Sequence, residues 1–456
     1  MEQPGRAATR AALLTAQGRA LVDRLTPHDP SRALEILTSL RADPAWADQS
    51  DVVSAAMTQA RLRTRARVRF PGPDRWWTED GLEQATRPVV ADRHAARYRA
   101  AGIRRVIDLG CGAGSDALAM AAAGLAVTAV DRDPEALWAL AATAGDRGLP
   151  VRTVLGDITE HADPAAWLSG GGSGQHGAWG CFVDPARRRA GARVLAPQSW
   201  SPPWSWVCQL AEAVPATGAK VAPGIAHEAI PEGAQAEWVS HGGDLVEAGV
   251  WWGPLRWGSV SRRAVVLPTG GAVQPAGPGA AAGPGAAVSR GAAAAPPSGA
   301  AAPPSLDDDS ERILEAGASL DDGAGIPLPA TGPVGSWVVE PDPAVIRAGL
   351  VSVLSERLGG WLLDPRIAYI VLDDDPGTSP LHARFQVLEE APFARKALRG
   401  WLRARGFADV VIKKRGVAIV PEQLRAALRL GGEGPTATLV LTRTDAGPLA
   451  LLVAPR

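Results

Sequence analysis

Four aspartates stand at the ends of apolar runs, and three glycines follow the first of them at every second position. The aspartates are Asp108, Asp131, Asp157 and Asp184, and the glycines are Gly110, Gly112 and Gly114. Glycine has no Cβ, so it lets a ligand lie close to the backbone and adopts positive φ at little cost. The first turn of the helix predicted after the glycines also presents free N–H groups. This pattern predicts a binding site for a small molecule.

The spacing of the glycines and acids narrows the kind of molecule. A dinucleotide-binding loop would have its third glycine three residues after the second, and Ser115 stands there. The second apolar run, 126–130, ends in Asp131, and an acid at this place can accept hydrogen bonds from both hydroxyls of a ribose. The alternative is that the glycines only form a tight turn in an ordinary βα unit.

The elements that must position these residues alternate between strands and helices, which predicts a parallel sheet with helices on both faces. Seven strands are predicted, at 105–109, 126–130, 151–155, 179–183, 218–222, 245–251 and 260–267. We expect the last two to pair as a hairpin. In such a sheet the ligand lies at the carboxyl ends of the strands, where the four aspartates stand.

The segment 106–116, VIDLGCGAGSD, together with the later acids, resembles the cofactor site of class I S-adenosylmethionine-dependent methyltransferases. The resemblance implies a seven-stranded Rossmann-like α/β sheet and S-adenosyl-L-methionine as the cofactor. It also implies a role for each matching residue. Asp108 and the loop of Gly110, Cys111, Gly112 and Gly114 would hold the methionine part, Asp131 the ribose, and Asp157 the adenine amino group.

The fourth strand ends in the sequence Asp184, Pro185, Ala186, Arg187. It partly resembles nucleic-acid methyltransferases that modify amino groups, which have an acid or amide, two prolines and an aromatic residue that stacks on a flipped base. Asp184, Pro185 and Arg187 are the candidate catalytic residues, with Asp184 orienting or deprotonating the nucleophile and Arg187 holding a phosphate. The alternative is that Asp184 only closes the turn before Pro185.

The C-terminal part is predicted to be a second α/β region, and its most distinctive feature is the sequence VVIKKRG, with Lys413, Lys414 and Arg415 at a strand end. Together with EPDPAVIRAGL, this part resembles the THUMP-like domain that follows a class I methyltransferase in bacterial proteins. Since THUMP domains bind RNA, the resemblance implies that Lys413, Lys414 and Arg415 contact RNA. The alternative is a solvated strand end.

The 456-residue chain has 46% hydrophobic and 21% charged residues and a formal net charge of −1. This composition is typical of a globular protein of two or three domains, and it excludes a chain-wide basic surface. The cysteines Cys111, Cys181 and Cys208 lack the spacing of disulfides or metal ligands, so no metal is expected. With neither a leader sequence nor an apolar run of about 18 residues, we expect a cytoplasmic protein that is not bound to a membrane.

Composition divides the chain into four parts: an N-terminal helical region at 1–98, the methyltransferase domain at 99–267, an Ala/Gly/Pro-rich and acidic linker at 268–333, and the THUMP-like domain at 334–456. Helices are predicted at 11–25, 31–41 and 51–67. The linker cannot bury enough apolar surface to offset chain entropy, and its acidic end at 307–325 has at most a short helix.

Three functions are compatible with the sequence. The leading hypothesis is a methyltransferase that acts on tRNA or rRNA, with the C-terminal domain binding the RNA. The second is an RNA-binding or scaffolding protein whose methyltransferase fold has lost turnover. The third is a small-molecule methyltransferase, for which the C-terminal domain has no evident use.

Overall fold

The computed structural model describes residues 4–160, 167, 178–186, 188–189, 192–193, 196–258, 260–267, 312–316 and 329–455. The predicted linker therefore lies outside the described residues at 268–311 and 317–328. Ahead of the first strand, helices occupy α1 Pro4–Leu13, α2 Ala16–Arg24, α3 Ala33–Ala42, α4 Ser50–Ala66, α5 Glu79–Gln84 and α6 Pro88–Ala100. The helix predicted at 11–25 is divided because Thr15 caps α2 and accepts a hydrogen bond from Gly18 N.

A nine-stranded sheet forms the centre of the described molecule. Its strands are β1 Arg105–Leu109, β2 Ala126–Asp131, β3 Val151–Leu155, β4 Trp179–Val183, β7 Thr217–Val221, β8 Gln235–His241, β9 Asp244–Trp251, β10 Arg262–Leu267 and β11 Arg312–Ala316. The spatial order is β11-β10-β8-β9-β7-β4-β1-β2-β3. The parallel pairing of β3, β2, β1, β4 and β7 brings the ends of these strands to one edge of the sheet.

The far half of this sheet differs from the prediction. Strand β8 was not predicted, and β9 pairs in a hairpin with β8, whereas β10 lies parallel to β8. The reason is chemical, because β8 carries polar residues that are fully buried, such as Gln235 and Glu237, and they interrupt the expected apolar pattern. Residues 312–316 form an edge strand antiparallel to β10, where at most a short helix was expected.

Helices cover both faces of the sheet, as the alternating pattern predicted. They are α7 Ser115–Ala122, α8 Pro134–Asp146 and α9 Trp204–Ala213, together with α6. One apolar cluster joins α6, α7 and α8 to β1 and β2, and a second joins α9 to β4 and β7. The short paired segments β5 Arg188–Arg189 and β6 Ala192–Arg193 follow β4.

The C-terminal part is built on a second sheet of seven strands. They are β12 Trp337–Pro341, β13 Trp361–Leu362, β14 Ile370–Leu372, β15 His382–Pro392, β16 Asp409–Lys414, β17 Thr436–Thr444 and β18 Gly447–Pro455, in the order β13-β14-β12-β15-β18-β17-β16. Its helices are α10 Pro343–Arg347, α11 Val351–Leu358, α12 Arg395–Arg403 and α13 Pro421–Leu428. Helices α10 and α11 are separate, because Gly349 between them adopts a φ of 69°.

Helix α10 joins the two sheets. Its residues Ala344 and Val345 are fully buried in the same apolar cluster as residues of β8 and β9. Asp342 caps α10 by accepting a hydrogen bond from Ala344 N at 2.8 Å, and the same oxygen accepts one from Ser240 Oγ on β8 at 2.6 Å. The C-terminal part is therefore packed directly onto the central sheet.

Candidate active site

A cavity of about 710 Å³ lies at the carboxyl ends of the parallel strands, between the glycine loop and α5. This volume is within the range of natural ligand pockets. Thr78 caps α5 by accepting a hydrogen bond from Gly81 N. A Cβ added at Gly81 would come within 2.7 Å of the Ala113 Cβ, so α5 lies against the glycine loop.

The three glycines of the loop adopt backbone conformations that disfavour other residues. Their φ angles are 79° at Gly110, 52° at Gly112 and 73° at Gly114. A Cβ at Gly114 would lie 2.3 Å from Leu140 Cδ1, and one at Gly110 would lie 3.2 Å from the Asp184 carbonyl oxygen. The loop is therefore folded tightly onto its neighbours, and its backbone is exposed to the cavity.

Asp108 is buried within β1 and is 1% exposed. Burial, reinforced by the nearby Asp116 and Asp184, raises its pKa well above the usual value, although Lys220 acts in the opposite direction. Its Oδ2 has no hydrogen-bond partner among the described residues. An orphaned buried oxygen next to the loop suits a ligand that brings a hydrogen-bond donor.

Asp131 stands at the end of β2 and shapes the loop. Its Oδ2 accepts a hydrogen bond from Gly112 N at 2.8 Å, and its Oδ1 accepts one from Asp133 N at 2.9 Å. Asp157, after β3, accepts hydrogen bonds from the Thr159 backbone and hydroxyl, which lower its pKa. Both acids line the cavity, as does Cys111, whose thiol pKa is raised by burial.

Asp184 and Lys220 form an ion pair on the cavity wall. Lys220 Nζ lies 2.5 Å from Asp184 Oδ2 and also donates a hydrogen bond to Thr86 Oγ1 at 3.0 Å. Burial alone would lower the pKa of Lys220, but Asp184, Asp116 and Glu247 outweigh it and raise that pKa above its usual value. Lys220 therefore stays protonated beside the carboxylate.

The ion pair continues into a buried polar chain. Thr86 Oγ1 donates to Asp116 Oδ2 at 2.6 Å, and the other oxygen of Asp116 lies 2.8 Å from His94 Nδ1. His94 Nε2 lies 2.8 Å from Glu247 Oε1 on β9. Burial alone would lower the pKa of His94, yet Glu247 and Asp116 raise it to about 9. The imidazole is therefore a cation held between two carboxylates.

The sequence analysis assigned no role to His94, Asp116 or Glu247. Asp116 directly follows the glycine loop, and its charge in the first turn of α7 was an available signal. His94 on α6 and Glu247 on β9 carry no local signal, because each is an isolated polar residue within a longer element. Only the fold brings them together.

The remaining predicted catalytic residues have different positions. Pro185 is buried and lines the cavity beside Asp184. Ala186 pairs with Ser201 through two backbone hydrogen bonds, of 2.8 and 3.1 Å, which anchor the segment after Pro185. Arg187 lies outside the described residues.

The predicted RNA-contacting residues stand at the end of β16. Lys413 Nζ lies 2.6 Å from Glu340 Oε2, and Arg415 lies 3.3 Å from Glu340 Oε1. Lys414 between them is exposed. Two of the three cations are therefore engaged by a carboxylate of β12, and Lys414 has the most accessible charge.

Two features are absent from the described part of the chain. No helix there is long and apolar enough to cross a membrane. No group of three or more His, Cys, Asp and Glu side chains there is arranged to hold a metal ion.

Comparison with known families gives three matches along the chain. A family described as a methyltransferase domain matches residues 106–167, and a family described as THUMP domain-like matches residues 382–455. A domain of unknown function matches residues 6–66. The first match contains the glycine loop and the first three aspartates.

Relatives and solved structures agree with these matches. A crystal structure of a candidate methyltransferase from Porphyromonas gingivalis has the same fold, with a TM-score of 0.61 and 20% identity over 92% of this chain and 98% of its own. A ubiquinone biosynthesis O-methyltransferase of Xanthomonas campestris is 46% identical over 65 residues, which are 14% of this chain and 27% of that protein.

One relative matches most of the chain, and it is an uncharacterised S-adenosylmethionine-dependent methyltransferase of Mycobacterium tuberculosis. It is 31% identical over 392 residues, which cover 84% of this chain and 89% of the relative. The cavity fits the cofactor, because its glycine loop has an exposed backbone and Asp108 Oδ2 lacks a partner among the described residues. The chain belongs to the S-adenosylmethionine-dependent methyltransferases and carries a THUMP-like domain at its C-terminus.

Proposed function

We propose that the protein methylates RNA, with the nucleophile placed at Asp184 and the RNA held by the C-terminal part. The observation that carries this proposal is the THUMP-like region at 382–455, in a chain whose α10 packs onto the methyltransferase sheet. THUMP domains bind RNA, so the resemblance implies that the C-terminal part of this chain binds RNA as well. The division into four domains, the cytoplasmic location and the roles of individual residues belong to the same proposal.

The cofactor is held between the glycine loop and the strand-end acids. Asp108 and the backbone of Gly110, Cys111, Gly112 and Gly114 bind the methionine part. Asp131 binds the ribose, and Asp157 the adenine amino group. When bound, S-adenosylmethionine supplies an activated methyl group, so the protein has mainly to place the nucleophile in line with it.

Asp184 and Lys220 position the substrate nucleophile. One oxygen of Asp184 accepts a hydrogen bond from Lys220, and the other can accept one from the substrate nucleophile. Lys220 also donates a hydrogen bond to Thr86. The Asp184 carboxylate is therefore supported by the buried chain of polar side chains that leads to Glu247. Such support keeps the acceptor oxygen in one place while the substrate binds.

The charge of the cavity bears on which part of an RNA enters it. The residues that line the cavity include more carboxylates than cations. The carboxylates are Asp80, Glu83, Asp116, Asp131, Asp133, Asp157, Asp184, Asp244 and Glu247, and the cations are Arg69, Arg87, Arg132 and Lys220. Such a lining attracts a cationic cofactor and repels phosphate. We infer that a base enters the cavity and that the RNA backbone stays outside.

The test is incubation of the full chain with radiolabelled S-adenosylmethionine, total cellular RNA and a small-metabolite extract. Wild type and Asp184→Ala are compared, and calorimetry with S-adenosylhomocysteine checks that both bind the cofactor product. We expect label in RNA with wild type only. Cofactor binding without any label, or label only in the metabolite fraction, would contradict the proposal and favour a scaffolding or a small-molecule role respectively.

A further inference from the structure

Helix α12 has two faces of opposite character. Leu398 and Leu402 are buried in the apolar core of the C-terminal sheet. The helix also carries four cations, which are Arg395, Lys396, Arg399 and Arg403. Since residues three and four apart lie side by side on a helix, these four side chains form one row. The row extends about 12 Å, because Arg395 and Arg403 are separated by a helix rise of about 1.5 Å for each step along the chain.

Arg429, directly after α13, adds a fifth cation to this row. It has a φ of 45°, and its carbonyl oxygen accepts hydrogen bonds from Arg399 at 3.4 Å and Arg403 at 3.1 Å. Arg395 similarly donates to the Ala418 carbonyl at 3.4 Å. Carbonyl oxygens orient guanidinium groups but carry no net charge, so all five positive charges remain. We call these five residues the α12 face.

The α12 face differs from seven of the ten other basic side chains at 329–455, and the exceptions are Arg347, Arg357 and Lys414. Arg366, Arg384, Arg405, Lys413, Arg415, Arg425 and Arg443 each lie within 4 Å of a carboxylate. Across residues 329–455, no ion pair with a carboxylate involves any member of the α12 face. In a chain with a net charge of −1, this is a local concentration of unneutralised positive charge.

We propose that the α12 face binds the phosphate backbone of the RNA substrate. This inference rests on the proposed function and identifies the surface that it needs, because the acidic cavity repels phosphate. A linear row of cations suits a linear polyanion. A bilayer is a poorer partner, because Leu398 and Leu402 are already buried and the helix has no apolar face left to insert.

The test measures the affinity of the full chain for total tRNA and for a fluorescent 20-nucleotide oligouridylate at several salt concentrations. The variant Arg395→Gln/Lys396→Gln/Arg403→Gln removes three exposed cations from the α12 face. The matched control, Arg366→Gln/Arg405→Gln/Arg425→Gln, removes the same charge from ion-paired arginines. Lys414→Gln tests the exposed cation of β16. Calorimetry with S-adenosylhomocysteine confirms that each variant keeps its cofactor site.

We expect the α12 variant to lose tenfold or more in RNA affinity, and the slope of log affinity against log salt for the oligouridylate to become shallower by about 2. The control should change affinity less than threefold, and Lys414→Gln should lose less affinity than the α12 variant. Equal losses in the variant and its control, or a larger loss with Lys414→Gln, would overturn the inference. So would wild-type binding to phosphatidylglycerol vesicles but not to RNA.

A failure of the proposed function has a different signature. In that case wild type would bind RNA through the α12 face and still transfer no label to it. The two results are distinguishable because binding and methyl transfer are measured separately.

Discussion

Lys220 Nζ lies 2.5 Å from Asp184 Oδ2, and this pair is a consequence of strand register. Strands β4 and β7 are parallel, with Val183 opposite Ala219, so the next residue of each strand is Asp184 and Lys220. The ammonium group therefore meets the carboxylate at the edge of the cavity.

Removing the ammonium group should impair methyl transfer more than cofactor binding. In Lys220→Met, Asp184 loses its partner, and we expect at least a tenfold lower transfer rate with cofactor affinity changed less than threefold. Rates are measured with labelled cofactor and affinity by calorimetry. Arg366→Met, on an exposed arginine outside both the cavity and the predicted RNA contacts, is the control. Compared with Lys220→Met, the double variant Lys220→Met/Asp184→Asn should be more stable but no more active. It removes the unpaired charge of Asp184 without restoring the carboxylate. Recovery of activity in the double variant would contradict the positioning role.

Asp131→Asn should weaken cofactor binding by about tenfold to 100-fold. Both carboxylate oxygens accept backbone N–H groups, and an amide can present only one acceptor to them. The lost hydrogen bond and the displaced glycine loop should weaken the free energy of cofactor binding by roughly 1.4–2.8 kcal/mol. Calorimetry with S-adenosylhomocysteine measures the effect. Asp409→Asn, which removes a charge from the C-terminal sheet, should leave the affinity unchanged, and an equal loss there would refute the explanation.

The raised pKa of His94 predicts a pH-dependent stability. A pKa of about 9 in the folded state, against about 6.5 in the unfolded chain, means that folding is favoured by a proton on His94. This contribution, on the order of 1–3 kcal/mol, is complete below pH 6.5 and is lost as the pH rises through 9. Urea unfolding at pH 6, 7.5 and 9 measures it.

The control for this prediction is His94→Gln. It will be less stable at every pH, because Asp116 and Glu247 lose their cation, but its stability should fall less steeply between pH 6.5 and 9. If both proteins lost the same free energy of unfolding across that range, the dependence would arise from other groups.

The contact between the two sheets should depend on Asp342. Asp342→Ala removes the cap of α10 and the bond to Ser240, and should lower the free energy of unfolding by about 1–3 kcal/mol. Ser240→Ala removes only the second bond and should cost about 1 kcal/mol. Thermal unfolding and protease cleavage between 268 and 333 give the readouts. A smaller loss in Asp342→Ala than in Ser240→Ala would be inconsistent with a capping role.

The glycine loop and the strands around it were predictable because their signals are local. Strands β1, β2, β3 and β4 each have an acid at their carboxyl end or within two residues of it, and all three glycines adopt the positive φ that their spacing suggested. The methyltransferase family and the THUMP-like C-terminus were correctly identified from such motifs. Strand β8 was not predicted, because its buried residues Gln235 and Glu237 are polar and its sequence lacks the apolar pattern of a buried strand.

The sequence by itself therefore determined the cofactor fold, since turn conformation and strand polarity depend on neighbouring residues. Only the tertiary structure decided which distant charges meet. It joins His94 of α6 to Asp116 of α7 and Glu247 of β9, and it pairs Lys413 and Arg415 with Glu340 while leaving the α12 face without carboxylates. The physical reason is that electrostatic interaction depends on distance and burial in space, and neither can be read from separation along the chain.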